Sequence, residues 1–310
     1  MPSLRKSCRG IFAVSNRAWG IFSLVAISFA ACTEAPLTKR RQIIFTNEEQ
    51  ELGVGEQQYQ QLLDAIMLNY DAEANRIVST IGQRLAHAVG KANYVWEFVV
   101  IDDPQTIDAW VLPGGKIGVC TGLFPVARDE NGLAILLAHE VAHAIARHQG
   151  EKNTRDALME IGGLAVTFGP DIVRQGYNLG TNLGLILPFG LEQEAEADYI
   201  GLILAAKAGY DPSAAAEVWD RVVLAGEQQA KPVALLTTHP NYEARRQNLA
   251  RWLPEALLLY KQAEEVQPVP LPALESLERP LVIEEQEKSG PIEPTSPTAE
   301  HSTEADSNAP

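Results

Sequence analysis

The sequence predicts an α+β fold, mainly helical, with a small β-sheet beside one central helix. Three observations predict it. Residues 133–149 (LAILLAHEVAHAIARHQ) are strong helix formers without Gly or Pro. Two short runs rich in β-branched and aromatic residues, 95–101 (VWEFVVI) and 116–121, read as strands just upstream of that helix. Several further apolar-periodic stretches follow, separated by Gly- and Pro-containing joints.

Taken in order, the chain begins with basic residues (Arg5, Lys6, Arg9, Arg17) and an apolar run over 21–31. That run is about 11 residues, short of the roughly 20 a spanning helix needs, so it reads as an export signal. Phe29-Ala30-Ala31-Cys32 resembles a bacterial lipoprotein box, with Cys32 as the lipidated first residue of the mature chain. Phe29 stands where an aliphatic residue is usual. Thr33 is not the Asp that retains lipoproteins in the inner membrane, which favours an outer membrane facing the periplasm. With Cys8 in the signal and Cys32 lipidated, Cys120 is the remaining thiol, and its apolar strand-like setting reads as core.

Residues 32–46 read as a polar stalk containing Lys39-Arg40-Arg41. From 47 to 89 the pattern is helical in two amphipathic segments divided near 69–71, with Glu48, Glu49 and Glu51 placed where acids meet the positive helix end. His87 in the second segment reads as structural or surface. After strand 95–101, Pro113-Gly114-Gly115 makes a turn into strand 116–121. Its residues Lys116, Ile117, Gly118 and Val119 are expected to form a sheet edge on which a peptide could lie.

The central helix carries His139-Glu140-Val141-Ala142-His143. Side chains four apart share a helix face, so both imidazoles can aim at one point, with Glu140 beside it. Two imidazoles can hold Zn²⁺, and the carboxylate can take a proton from water there. His148 lies about 140° of helical rotation beyond a full turn from His143 and is expected to face away.

Residues 150–190 are rich in Gly and short apolar residues and read as weak-ended helices with mobile joints. Over 191–204 (LEQEAEADYIGLIL), Glu194 and Asp198 are four apart and face one way, whereas Glu196 points elsewhere. An open zinc site needs a third protein ligand, and a carboxylate from a second helix commonly supplies it. Asp198 could accept the spare N–H of a ligand histidine. Helices are expected over 212–229 and from Thr237-Thr238-His239-Pro240 to about 264, with His239 in extended or turn geometry before Pro240. Residues 267–310 hold 8 prolines, nine acids and two bases, and read as a disordered acidic tail containing His301. With a formal charge of −15 over the whole chain, nucleic acid is a poor partner.

Four motifs in order — the LPGGKIGVCTGL strand, HEVAH, EAEAD and THPNYEAR — resemble the M48 family of zinc metallopeptidases, which includes HtpX and the CAAX prenyl proteases. The resemblance runs from about 48 to 252 and is strongest to soluble lipoprotein-type members. It implies a zincin-like domain over 47–266, one Zn²⁺ held by His139, His143 and Glu194, and Glu140 as general base. By the same resemblance Asp198 supports the ligands, and His239 and Arg245 form a pair near the site. Gly190 and Leu191 stand where the family usually has Ser-Arg, so an arginine supporting that segment is missing.

The implied function is a zinc endopeptidase that cleaves misfolded or misassembled envelope proteins. A rival reading is a non-proteolytic binding or assembly factor for outer-membrane proteins, working with the envelope assembly machinery. A closed structural zinc site fails on ligand count unless His239 is a fourth ligand.

Overall fold

The computed structural model describes residues 32–168, 189–228, 233–239, 242–263 and 266–272. Residues 1–31, expected to be an export signal, the Gly-rich stretch 169–188 and the expected acidic tail beyond 272 lie outside the described residues.

Residues 32–46 are not a stalk. They form an antiparallel pair, β1 (Cys32–Glu34) and β2 (Arg41–Ile43), in register Thr33↔Gln42. The pair packs on the body because its polar groups find partners there. Gln42 Nε2 donates to Ala146 O at 2.7 Å, and Phe45 N donates to Thr154 Oγ1 at 2.9 Å. Ala35, Gln42 and Ile44 are buried.

Two helices follow, α1 (Glu48–Ala65) and α2 (Ala72–Val89), divided where the sequence indicated. Asn47 and Gln50 make a reciprocal capping box at the start of α1. Gly90 ends α2 at φ 69°, a left-handed cap that glycine accepts without strain. His87 is exposed on the last turn of α2.

The sheet departs from expectation. β3 (Glu97–Ile101) runs parallel to β5 (Lys116–Cys120), and an additional strand, β4 (Ala109–Leu112), runs antiparallel to β5. The order is β3–β5–β4. The strand holding Lys116, Ile117, Gly118 and Val119 is therefore the centre of the sheet, buried throughout and paired on both sides, and it has no free edge for a peptide. The edge near the central helix is β4, made possible by the tight turn at Gly114 and Gly115 (φ 92° and 88°).

A 3₁₀ turn (Thr121–Leu123) and a short α3 (Phe124–Ala127) lead into α4 (Glu130–Ile145), capped by Asp129 accepting from Gly132 N. α4 is apolar on nearly every side and buried from Gly132 to Ala142, as expected of a helix at the core centre. It packs against α2, β4, α6 (Phe189–Lys207) and α7 (Ala214–Gln228). At its crossing with α6 the backbones nearly touch, for a Cβ on Gly201 would sit 2.9 Å from His139 N.

The expected helix 133–149 is broken. α4 stops at Ile145, Arg147 adopts φ 56°, and α5 (His148–Phe168) begins afresh. Short α8 (Ala234–Thr238) and long α9 (Tyr242–Tyr260) complete the helices among the described residues.

The first residues of the tail are also ordered against the body. Glu130 N donates to Val269 O at 3.2 Å and Leu271 N to Arg128 O at 2.8 Å, so backbone pairing holds a segment that composition alone marks as disordered. No helix among the described residues is long and apolar enough to cross a membrane.

Candidate metal centre

α4 places His139 and His143 one turn apart on a single face, as the spacing demands. α6 crosses beside it and delivers Glu194 and, one turn on, Asp198. His139 Nε2 lies 3.1 Å from His143 Nε2 and 3.3 Å from Glu194 Oε2, while Glu194 Oε1 is 3.4 Å from His143 Nε2. His239, at the C-terminal end of α8, joins them with Nδ1 at 3.1 Å from His139 Nε2 and 2.9 Å from Glu194 Oε2. One donor atom from each of these four residues falls within 4.8 Å of every other.

The donor chemistry fits a metal ion. His139 Nδ1 is 3.0 Å from Asp198 Oδ1, a contact that turns Nε2 towards the cluster. His139 Nε2 faces the Glu194 carboxylate at 3.3 Å, and a cation between them would satisfy both groups. The separations of 2.9–3.4 Å quoted above keep these groups close enough to share one ion.

Electrostatics follow from this crowding. Burial opposes ionisation of Glu194, yet hydrogen bonds from His139 and His239 outweigh it and hold the carboxyl far below the ordinary range. Burial and the neighbouring imidazoles push His143 well down. Burial likewise opposes charging of His239, but Glu140 and Glu194 prevail and raise it to about 10. Asp108, just before β4, is pushed up to about 6 by burial and then by Glu140.

Glu140 is buried beside the cluster. Its Oε1 makes a close charge contact with His239 Nε2 at 3.1 Å and has no other polar partner among the described residues. Arg245, on α9, donates from Nε and Nη2 to Asp198 at 2.8 Å each and stacks over Trp219 at 3.9 Å. Arg245 Nη1 also lies 3.4 Å from Glu194 Oε2. A cleft of about 470 Å³ opens onto this cluster, lined among others by Val111, Pro113, Glu140, His143, Gln193 and His239.

Every residue expected at the centre is therefore found there, apart from the strand 116–119. Sequence reasoning also misjudged His148. It does not face away, because the left-handed turn at Arg147 swings it back so that Nδ1 comes within 2.9 Å of His143 Nδ1. No Gly or Pro marks that break, so the sequence carries no signal for it. Glu196 does point away from the cluster, into a buried network with His148, Thr38 and Arg40. An arginine thus supports this helix after all, supplied by the N-terminal pair in the segment read as a stalk. Cys120 is buried with its thiol pushed up to about 12 by burial, Asp108 and Asp103, which suits a core residue and not a nucleophile.

An HExxH helix crossed by a carboxylate-bearing helix, at the edge of a small sheet, is the arrangement of a zincin-like metallopeptidase. Residues 72–253 match the model of Peptidase family M48, and the chain belongs to that family. Among its relatives is Mitochondrial metalloendopeptidase OMA1 of Schizosaccharomyces pombe, 36% identical over 225 residues, 71% of this chain and 66% of the relative. The human protein named Metalloendopeptidase OMA1, mitochondrial, is 28% identical over 75% of this chain and 48% of its own length. Beta-barrel assembly-enhancing protease of Yersinia pestis is 27% identical over 64% of this chain and 42% of its own length. The chain thus spans between 42% and 66% of the length of these relatives.

Proposed function

We propose that this chain is a zinc-dependent endopeptidase, with His139, His143 and Glu194 as ligands and Glu140 as general base. The observation that carries it is the meeting of two ligand-type imidazoles, a carboxylate held ionised and a buried, unsatisfied Glu140 oxygen at one cleft. When bound, zinc supplies Lewis acidity, acidifying water and polarising a carbonyl. Glu140 Oε1 takes the proton of the attacking water and passes it to the leaving amine nitrogen. Asp198 holds the His139 ring through Nδ1, and Arg245 holds Asp198 in turn. The substrate lies extended along β4, whose Val111 lines the cleft with Glu140 and His143.

His239 favours a latent resting form. Its Nδ1 sits in the donor cluster as a fourth ligand-type atom, so it would close the site until a substrate displaces it. Once displaced, its imidazole can support the developing oxyanion.

For cellular context, the reading is an exported enzyme with residues 1–31 as signal, a lipid on Cys32 and a peptidase domain followed by an acidic tail. It acts at the periplasmic face of an outer membrane on misfolded or misassembled envelope proteins. The lipobox-like Phe29-Ala30-Ala31-Cys32 and the β-barrel assembly-enhancing protease relatives support this placement. The OMA1 relatives are named as mitochondrial, which marks the same family core in another compartment.

The test is cleavage of an unfolded model protein by wild type and Glu140→Gln, with and without chelator. Wild type should cut and stop on chelation. Glu140→Gln should retain zinc and lose at least about 100-fold in rate. Zinc-bound wild type that cuts nothing, together with cellular function that survives Glu140→Gln unchanged, would support the binding-factor reading instead.

A further inference from the structure

We propose that His148 and Glu196 are positioning residues that fix the tautomer of His143, so that its Nε2 is presented bare to the metal. The proposal rests on the metal-site reading above. The argument runs along one chain of contacts leading away from the cleft. Arg147, at φ 56°, is held by Glu51 (2.8 and 2.9 Å) and by Thr46 O (2.8 Å). That turn starts α5 with His148 folded back under α4, its side chain 4% exposed. The His148 ring meets His143 edge-on, centroids 4.8 Å apart at 80°, with the two Nδ1 atoms 2.9 Å apart. On its far side, His148 Nε2 is 3.0 Å from Glu196 Oε2.

Proton bookkeeping fixes each atom's role. Glu196 receives Arg40 Nε on Oε2 at 2.8 Å and the Thr38 hydroxyl on Oε1, so it is a carboxylate and can only accept. The proton in its contact with His148 therefore sits on His148 Nε2. In the neutral imidazole protonated on Nε2, Nδ1 is bare, and the 2.9 Å contact then makes His143 Nδ1 the donor. His143 Nε2 is then a lone pair, and it faces His139 Nε2 at 3.1 Å and Glu194 Oε1 at 3.4 Å.

The two ligand histidines are thus oriented by different means. His139 is held by Asp198, a charge backed by Arg245. His143 is held by a neutral imidazole backed by Glu196 and, beyond it, by Arg40 and Thr38 between β1 and β2. The N-terminal pair becomes part of the support of the metal centre, although it lies about 100 residues upstream of His143.

Long-range ¹H–¹⁵N correlation spectra of the metal-free wild type should show His143 protonated on Nδ1 and bare at Nε2, with His148 protonated on Nε2. Zinc affinity by competition with a chromophoric chelator should fall about 10–100-fold in His148→Leu. It should return to within about threefold of wild type in His148→Gln, which keeps an acceptor for His143 and a donor for Glu196. A merely structural role would instead lower the metal-free unfolding midpoint in both variants alike. His143 protonated on Nε2 in wild type, or undiminished zinc affinity in a folded His148→Leu, would overturn the proposal. Should His148→Leu not fold, the wild-type tautomer decides. Wild type that binds no zinc would instead sink the metal-site reading, leaving the tautomer result to judge the contact itself.

Discussion

Asp198 accepts from both Nε and Nη2 of Arg245 at 2.8 Å while its Oδ1 lies 3.0 Å from His139 Nδ1, all of it buried. Removing one partner of such a pair strands the other charge, at a cost of about 3–5 kcal/mol. Asp198→Ala should lose that much stability in urea unfolding of the metal-free protein. Glu151 gives a pH-dependent counterpart away from the cluster. Arg40 Nη1 and Nη2 each donate to it at 2.7 Å, and Gln193 Nε2 adds a third bond at 2.9 Å. Burial opposes its ionisation, but these bonds outweigh it and hold the carboxyl below its ordinary value. A depressed folded pKa contributes stability above the unfolded pKa and loses it as pH falls through the folded one. Wild type should therefore exceed Glu151→Gln most at neutral pH. The gap should begin to shrink below about pH 4.5 and close below the folded pKa, read from urea midpoints across pH.

The crossing of α4 and α6 sets the ligand geometry, and Gly201 sets the crossing. An added Cβ would meet His139 N at 2.9 Å and Ala138 C and His139 Cα at 3.0 Å, all backbone atoms with no rotamer to yield. Gly201→Ala should therefore push the helices apart and cost about 1–3 kcal/mol in thermal or urea unfolding. Zinc affinity should fall with it, because the displaced backbone is that of the proposed ligand His139. A variant with unchanged affinity would show that the helices have slack. Much of this element pair was legible beforehand. The HExxH spacing and the Glu194/Asp198 spacing each follow from helical periodicity, a property of five consecutive residues. The break after Ile145 was not legible, since Arg147 is held left-handed by Glu51, 96 positions away.

Across the molecule, the β1–β2 pair closes over α5 and α6 and neutralises buried Glu151 and Glu196 through Arg40. Deleting residues 32–43 should leave both carboxylates uncompensated and expose Ile44, lowering stability by at least about 3 kcal/mol. A truncated chain with an unchanged urea midpoint would restore the stalk reading. Composition pointed towards a stalk because Lys39-Arg40-Arg41 looks solvated when its acidic partners are unseen. The same blindness misplaced the sheet edge. Residues 109–112 and 116–120 are both apolar enough for strands, and only the pairing of β5 with β3 on one side and β4 on the other decides which is central.

By itself the sequence determined which groups could meet at the centre: two imidazoles and a carboxylate on one helix, a second carboxylate on another, in the order of a known family. Those facts are local, and helical geometry turns spacing into facing. The tertiary structure alone decided which strand is the edge, that His148 returns to His143, and that Arg40 reaches Glu196 across 156 positions. The reason is physical: such contacts are chosen by packing and by the need to pair buried charges, and no periodicity within a segment records them.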